Sequence, residues 1–185
     1  MKGHPSLMKI SVRVLVLTIS VLVADVLLVG EQATDTQLRA QLAQLFPAAT
    51  SFSDKEGNPP HFKALAHAPG GDEPRLLGFA FYTTELEPLE RGYDGPIQVL
   101  VGIDLRGTLT NIVIVDHNEP YGYFSIDLPR YAAQFVRKSI RDRFRVGDDV
   151  DAVSTATLTV RSTTRAVRNG ARRMARRFLR PEDVQ

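Results

Sequence analysis

The chain has 185 residues, of which 43% are hydrophobic and 24% charged, a balance typical of a folded globular protein rather than a disordered one. It contains no cysteine, which excludes disulfide bonds, cysteine-ligated iron–sulfur clusters and a thiol nucleophile, so any redox chemistry must come from a non-thiol cofactor. The net charge of +2 hides an excess of arginine near the C-terminus, which indicates contact with anionic lipid, nucleic acid or an acidic partner.

The first 30 residues are predicted to be a membrane-targeting segment. Three cations precede an apolar run that extends to Val29 and is interrupted by Asp25. This order is typical of a secretory signal peptide or of an uncleaved signal anchor. The run is close to the minimum length of a membrane span, ~17 residues, and the lack of an A-x-A cleavage site after it favours the anchor. Either way, the early positive charges predict that the chain after Gly30 lies outside the cytoplasm.

Residues 31–74 are predicted to form a helical linker followed by the first strands. Three leucines recur at helical spacing over 34–46, which predicts an amphipathic helix, and Pro47 ends it. The other elements of this region are two loops rich in proline, glycine or asparagine, at 58–60 and 69–72, and a strand at 62–67; a further strand, at 76–83, opens the next region.

Residues 75–180 are predicted to form one small domain. Apolar residues alternate over 97–104, a tight connection follows, and residues 109–116 are again rich in β-formers, which predicts a hairpin. Helices are predicted over 129–144 and over about 162–179. Their buried stripes are Tyr131, Phe135, Ile140 and Phe144 in the first, and Val167, Ala171, Met174 and Phe178 in the second. Strands and helices without strict βαβ alternation predict an α+β fold, an antiparallel sheet with flanking helices.

Four short motifs follow one another in this domain. GYxGPI begins at Gly92, LVGIDxxG at Leu100, HxEP at His117 and D-x-x-S-x-A-T at Asp151. In this order they resemble the FMN-binding domain family of bacterial membrane flavoproteins, which includes the C subunit of sodium-translocating NADH:quinone reductase and the G subunit of the Rnf complex. The HxEP form is especially similar to the periplasmic domain of the regulator proteins of nitrous oxide reduction. The resemblance covers roughly residues 76–178.

The resemblance implies that FMN is attached covalently, through a phosphoester, to Thr157 at the end of the fourth motif. It also implies a separate flavin transferase that uses FAD and a magnesium ion. Asp151 and Ser154 would serve recognition by that enzyme; their alternative roles are a solvated loop carboxylate and a helix N-cap or turn residue. Thr155 and Ala156 complete the motif. The family usually has glycine where Thr155 stands, and a β-branched residue narrows the backbone conformations available there.

The flavin ring needs a flat, mostly apolar slot with a few polar groups near its N1, N3 and N5 edges. Two loops at one end of the hairpin offer suitable residues: Tyr93, Gly95, Pro96, His117, Glu119, Pro120 and Tyr121. The alternative for Tyr93 is packing in the core, and for His117 a structural hydrogen-bonding role. For the phosphate, the candidates are the first turn of the last helix and Arg161 or Arg165. The alternative for these arginines is a solvated helix face.

Together these features predict a membrane-anchored extracytoplasmic flavoprotein that relays electrons to or from a partner complex. We expect an electron-transfer subunit rather than an independent enzyme, without catalytic or metal-binding residues of its own. The expected partners are the flavin transferase, the membrane, and a membrane redox complex or electron-carrier protein, but not nucleic acid. The expected location is the bacterial inner membrane, crossed once, with the domain in the periplasm. Two alternatives are a non-redox assembly or interaction module on the same fold, and a membrane-surface module whose arginine helix binds anionic lipid or an acidic protein.

Overall fold

The computed structural model describes residues 35–67 and 73–184. The anchor predicted within residues 1–30 and the loop predicted at 69–72 lie outside these ranges. Within them, no helix combines the length and the apolar character that crossing a bilayer requires. Residues 35–45 form the first helix, α1, close to the predicted bounds. All later elements belong to one compact unit, Gln41–Gln185.

The strands form one five-stranded antiparallel sheet in the order β1-β2-β3-β4-β5. This confirms the predicted α+β fold and the hairpin, in which Val101 of β4 lies opposite Ile112 of β5. Two strands from the predicted linker region share this sheet; the boundary predicted between residues 74 and 75 stays a prediction. The element bounds are β1 Ser51–Phe52, β2 Phe62–Ala66, β3 Arg75–Tyr82, α2 Thr83–Leu86, β4 Gln98–Asp104, β5 Leu109–Asp116, α3 Pro129–Ala133 and α4 Thr157–Phe178, with 3-10 turns at Gly122–Phe124 and Pro181–Asp183.

Strand β4 is covered on both faces. On one face, the chain at the end of α1 comes so close that a Cβ added to Gly102 would lie 3.1 Å from side-chain atoms of Leu45 and Phe46. Because successive strand residues point to opposite faces, Val99 and Val101 point the other way, into the core that α4 completes. Burial on both sides accounts for the nearly continuous apolar sequence of β4.

The last helix, α4, begins at Thr157 rather than at about residue 162 as predicted. Its inward stripe is as predicted for Val167, Ala171 and Met174, which are buried. Phe178 is half-buried and packs on the core. The helix approaches the sheet closely at Gly170, where an added Cβ would lie 2.6 Å from the Phe81 ring. The fourth motif therefore ends inside a helix that is packed firmly against the sheet.

The helix predicted over 129–144 is wrong beyond its first turns, since α3 ends at Ala133. Arg137 and Phe144 have φ values of 67° and 51°, which a continuous right-handed helix cannot contain. Instead, the chain after α3 pairs with β5: Arg137 N–H donates to the Leu109 carbonyl, and Leu109 N–H to the Lys138 carbonyl, both at 2.8 Å. The predicted stripe is still buried, apart from the half-buried Ile140, because this irregular segment packs on the same core.

Candidate functional site

The fourth motif leads directly into the last helix. Thr157 is the first residue of α4, and the buried Ala156 is its N-cap. Alanine is a poor N-cap because it has no side-chain oxygen to accept hydrogen bonds from the first turn, and no side chain caps this helix. The N–H groups of residues 157–159 have no acceptor within the described ranges. This 22-residue helix thus begins with open N–H groups at its positive dipole end, an arrangement that suits an anion.

The backbone turns sharply just before this helix. Thr155 has a φ of 70°, in the left-handed region that glycine adopts readily and a β-branched residue does not. Its hydroxyl donates to the Ser154 carbonyl at 2.5 Å, and both side chains are exposed. Thr155 therefore has the left-handed backbone conformation that favours glycine, which accounts for the glycine that is usual at this position of the motif.

Thr157 and Asp151 are both accessible from solvent, although they differ in their surroundings. The Thr157 side chain is half-buried, and its hydroxyl makes one long hydrogen bond, 3.4 Å to the Val153 carbonyl. Asp151 is exposed and is held by its backbone, whose N–H donates to Gln134 Oε1 at 2.7 Å. The Thr157 hydroxyl is thus weakly engaged, and the Asp151 carboxylate before it is open to solvent.

Asp149 organises the loop that precedes the motif. Its carboxylate accepts hydrogen bonds from the N–H groups of Phe144 at 3.0 Å and Arg145 at 2.5 Å, and from Lys138 Nζ at 3.0 Å. Burial alone would raise the pKa of the Asp149 carboxyl, but the hydrogen bonds and the Lys138 ammonium together lower it. The loop is therefore fixed by a charged group in its ionised form.

The loop of the first motif is a tight turn. Gly92 N–H donates to the Gly95 carbonyl at 2.7 Å, and the φ of 123° at Gly95 requires glycine. The turn places Tyr93 at its tip, where the residue is 70% exposed, so this tyrosine does not pack in the core. Pro96, the next residue of the loop, is exposed as well.

Glu119 joins three separate parts of the chain. Glu119 is only 6% exposed. The carboxylate accepts hydrogen bonds from Tyr93 N–H at 3.1 Å, from Asp94 N–H at 2.8 Å, and from the hydroxyl of Thr159 in the first turn of α4. A Cβ added to Gly92 would overlap this carboxylate, which explains the glycine there. The first motif, the third motif and the start of α4 therefore form one site.

His117 is held by hydrogen bonds within the third motif and to the loop after it. Its Nε2 lies 2.8 Å from Asp127 Oδ1, and its Nδ1 accepts a hydrogen bond from Glu119 N–H at 3.0 Å. A Cβ added to Gly122 would overlap the imidazole ring. Both ring nitrogens are thus engaged with protein groups, which is the structural role considered for this residue from the sequence.

Exposed apolar side chains lie on the three segments that Glu119 joins, including the start of α4. Leu158 is 61% exposed, Tyr121 46% and Tyr93 70%, and Pro120 is exposed beside them in the chain. Because Glu119 ties their three segments together, these side chains contribute to one surface. Exposed apolar side chains on segments that are joined in this way are candidates for contact with a ligand.

The arginines of α4 divide into bound and free ones. Arg165 forms a two-pronged ion pair with Glu90, with distances of 3.0–3.2 Å. Arg172 donates to the carbonyls of Ile140 at 2.9 Å and Asp142 at 2.8 Å; burial, together with its arginine neighbours, lowers its pKa. Arg161, by contrast, is exposed and forms no hydrogen bond or ion pair within the described ranges. It lies one turn from Thr157 and is a free cation at the start of α4.

Sequence reasoning missed the role of Thr159. This residue is 2% exposed and lies on the inward face of α4, four residues before the buried Thr163. A hydroxyl at an inward helical position needs a partner, and this was the signal available in the sequence. The predicted residues also do not line the groove of about 540 Å³ between β5 and α3, whose walls include Ile114, Leu128 and Ala132.

Comparison with known proteins agrees with this arrangement. The family model "FMN-binding domain" matches residues 92–172, a stretch that contains both loops and the start of α4. The G subunit of the ion-translocating oxidoreductase complex of Yersinia pestis is 30% identical over 157 residues, which cover 73% of this chain and 71% of that relative. The chain belongs to the FMN-binding domain family.

A second relative of this FMN-binding domain is the regulatory protein NosR of Pseudomonas aeruginosa strain PAO1. It is 29% identical over 163 residues, which cover 80% of this chain but only 22% of NosR. The chain thus spans about a fifth of that relative and most of the other.

The residues of this FMN-binding domain fit its cofactor. The open N–H groups at the start of α4 and the unpaired Arg161 suit the phosphate of FMN. Tyr93 and Leu158, both largely exposed, suit the flat apolar ring. The polar groups of Glu119 and His117 are already occupied by protein partners, so a ring edge would find its donors mainly in the backbone of the two loops.

Proposed function

We propose that this domain carries FMN covalently, through a phosphoester to Thr157 Oγ1, and relays electrons within a membrane redox complex. The observation that supports this most is the uncapped start of α4. A weakly bonded hydroxyl, open N–H groups and the free Arg161 occur there together. Ala156 supplies no capping side chain, so the N–H groups of the first turn stay available to a ligand. The site is thus suited to an anion that is tethered at the first helical residue.

Each residue has a specific task in this proposal. Thr157 holds the cofactor at a high effective concentration beside its pocket, and the first turn of α4 and Arg161 bind the phosphate charge. Tyr93, Tyr121 and the prolines of the two loops flank the ring. Bound FMN supplies transfer of one or two electrons, and the residues named here orient it.

Attachment requires a separate enzyme, because no base adjoins the Thr157 hydroxyl: its one hydrogen bond goes to the Val153 carbonyl. In this proposal a flavin transferase takes FAD with a magnesium ion. The threonine oxygen forms a bond to the phosphorus on the FMN side, AMP leaves, and the hydroxyl proton is released. The exposed Asp151 and Ser154 are where that enzyme recognises the motif, and the left-handed turn at Thr155 presents the threonine to it.

The cellular setting follows from the relatives and the sequence. One relative is by name part of an ion-translocating oxidoreductase complex, and we extend a similar membrane setting to this chain. Residues 1–30 would anchor it in the inner membrane, residues 31–74 would lead away from the membrane, and residues 75–180 would carry the flavin on the periplasmic side. Electron donors and acceptors would be other redox centres of the complex.

The test is mass spectrometry of protein produced together with a flavin transferase. The tryptic peptide of residues 146–161 should gain the mass of one FMN less one water, and fragmentation should place it on Thr157. Thr157→Val should lose the modification, whereas Thr155→Ala, its matched control in the same exposed segment, should keep it. Wild-type protein that stays unmodified would refute covalent attachment. A flavin that is released on denaturation would refute the tether but retain FMN binding, and the complete absence of flavin would support a non-redox interaction module.

A further inference from the structure

We propose that Glu119 and Thr159 form a clasp that holds the loop of residues 92–95 against the first turn of α4 and so fixes Tyr93 beside the flavin; this rests on the proposed function. Glu119 is 6% exposed and Thr159 is 2% exposed. The loop they hold ends in a tyrosine that is 70% exposed. Two buried polar groups therefore support a side chain that is itself free to contact a ligand.

Burying the Glu119 carboxylate in the clasp costs folding free energy. A buried carboxylate is unfavourable unless it is paired and hydrogen-bonded, and no cation within the described ranges forms an ion pair with Glu119. Its partners are two backbone N–H groups and one hydroxyl. A carboxylate can accept these donors on both oxygens, which a neutral apolar residue cannot do. The acid is thus the one group that binds the loop and the helix at the same time.

Helical geometry separates the clasp from the attachment point. Thr157 and Thr159 are two residues apart in α4, which places their side chains about 200° apart around the helix axis. Accordingly, Thr157 is half-buried toward the surface and Thr159 points inward. Glu119 therefore acts through the loop and the helix, as a positioning residue, rather than by contact with the cofactor.

The first arm of the test does not need flavin. Amide hydrogen exchange at Tyr93 and Asp94 should be slow in the wild type and equally slow in unflavinylated Thr157→Val. It should become at least tenfold faster in Glu119→Gln and in Thr159→Val. Thr159→Ser, which keeps the hydroxyl, should restore slow exchange. Glu90→Gln is the matched control, because it removes an acid that pairs with Arg165 on the outside of α4. Unchanged exchange in both clasp variants would overturn the proposal.

The second arm uses the flavinylated protein and measures flavin fluorescence and its quenching by iodide. Loss of the clasp should raise the fluorescence and the iodide quenching, and Tyr93→Ala should do the same while the melting temperature and the exchange at Asp94 stay as in the wild type. If the clasp variants change exchange but not the flavin signals, Glu119 holds the fold without positioning Tyr93, and the proposal fails. If the wild type carries no flavin, the proposed function fails and with it the role of the clasp beside the flavin, whereas the first arm still shows whether Glu119 and Thr159 hold the loop.

Discussion

Replacing Thr155 with glycine should leave the stability of this domain nearly unchanged or slightly raised, although glycine usually destabilises proteins. The residue has a φ of 70°, and a side chain in the left-handed region costs about 1–2 kcal/mol. Glycine gives back ~0.5–1 kcal/mol through its greater freedom in the unfolded chain. It also loses the exposed hydrogen bond to the Ser154 carbonyl, at the low end of the usual ~0.5–1.5 kcal/mol. The free energy of unfolding should therefore change by between about −0.5 and +1 kcal/mol.

Thr155→Ala is the control that makes this test decisive. It loses the same hydrogen bond but keeps a Cβ in the left-handed conformation, so it should be less stable than Thr155→Gly by about 1 kcal/mol. Urea unfolding of the flavin-free protein gives both free energies, and in thermal unfolding the melting temperature should shift by ~2–4 °C for each kcal/mol. At a residue of ordinary backbone conformation the order is reversed, with alanine more stable than glycine. If alanine proves the more stable here, the turn before α4 is not left-handed in solution, and the explanation given for the motif is wrong.

Three further predictions concern the charges and the topology. Arg172→Glu should lower the free energy of unfolding by about 1–3 kcal/mol, because two carbonyls lose their donor, whereas the same change at the exposed, unpaired Arg176 should stay within ~0.5 kcal/mol. The pKa of Asp149 is lowered in the folded protein, so its ionised carboxylate stabilises the fold. This contribution to the free energy of unfolding is complete above the ordinary aspartate pKa of ~3.9 and is lost as the pH falls through the lower pKa of the folded state. The free energies of unfolding of the wild type and of Asp149→Asn, measured as the pH is lowered, should therefore converge at low pH. A difference between the two proteins that stays constant at low pH would contradict this prediction. A C-terminal reporter that is active only after export should be active, and activity of a cytoplasm-only reporter would reverse the topology.

The elements of this fold that depend on residues close together in the sequence could be predicted from the sequence. The hairpin follows from alternation over 97–104 and from the β-rich composition of 109–116, and the inward stripe of α4 follows from helical spacing. The segment after α3 could not be predicted in the same way. Its apolar spacing is helical, but Arg137 and Phe144 are left-handed, and the chain pairs with Leu109, about 30 residues earlier. Periodicity reports which residues are buried, whereas distant hydrogen bonds decide the backbone conformation.

The same limit applies to the site. The four motifs indicate which segments belong together, and the structure joins the first, the third and the start of α4. The particular role of Glu119 depends on donors from residues 93, 94 and 159, which no local pattern connects. A motif residue is easily taken for a cofactor ligand, because the sequence does not reveal whether its polar atoms are already occupied.

The arginines of α4 show how the structure narrows the functional alternatives. Their number in the sequence predicts that most of them are solvated or face a partner, but Arg165 and Arg172 are bound to groups of the domain itself. Arg161 and Arg176 stay unpaired within the described ranges. They are 15 residues apart in one helix, about 22 Å at 1.5 Å per residue, so they cannot bind the same small anion. Arg161 lies one turn from Thr157 and is the one suited to the flavin phosphate. An anionic partner that binds at Arg176 would therefore be well away from Thr157.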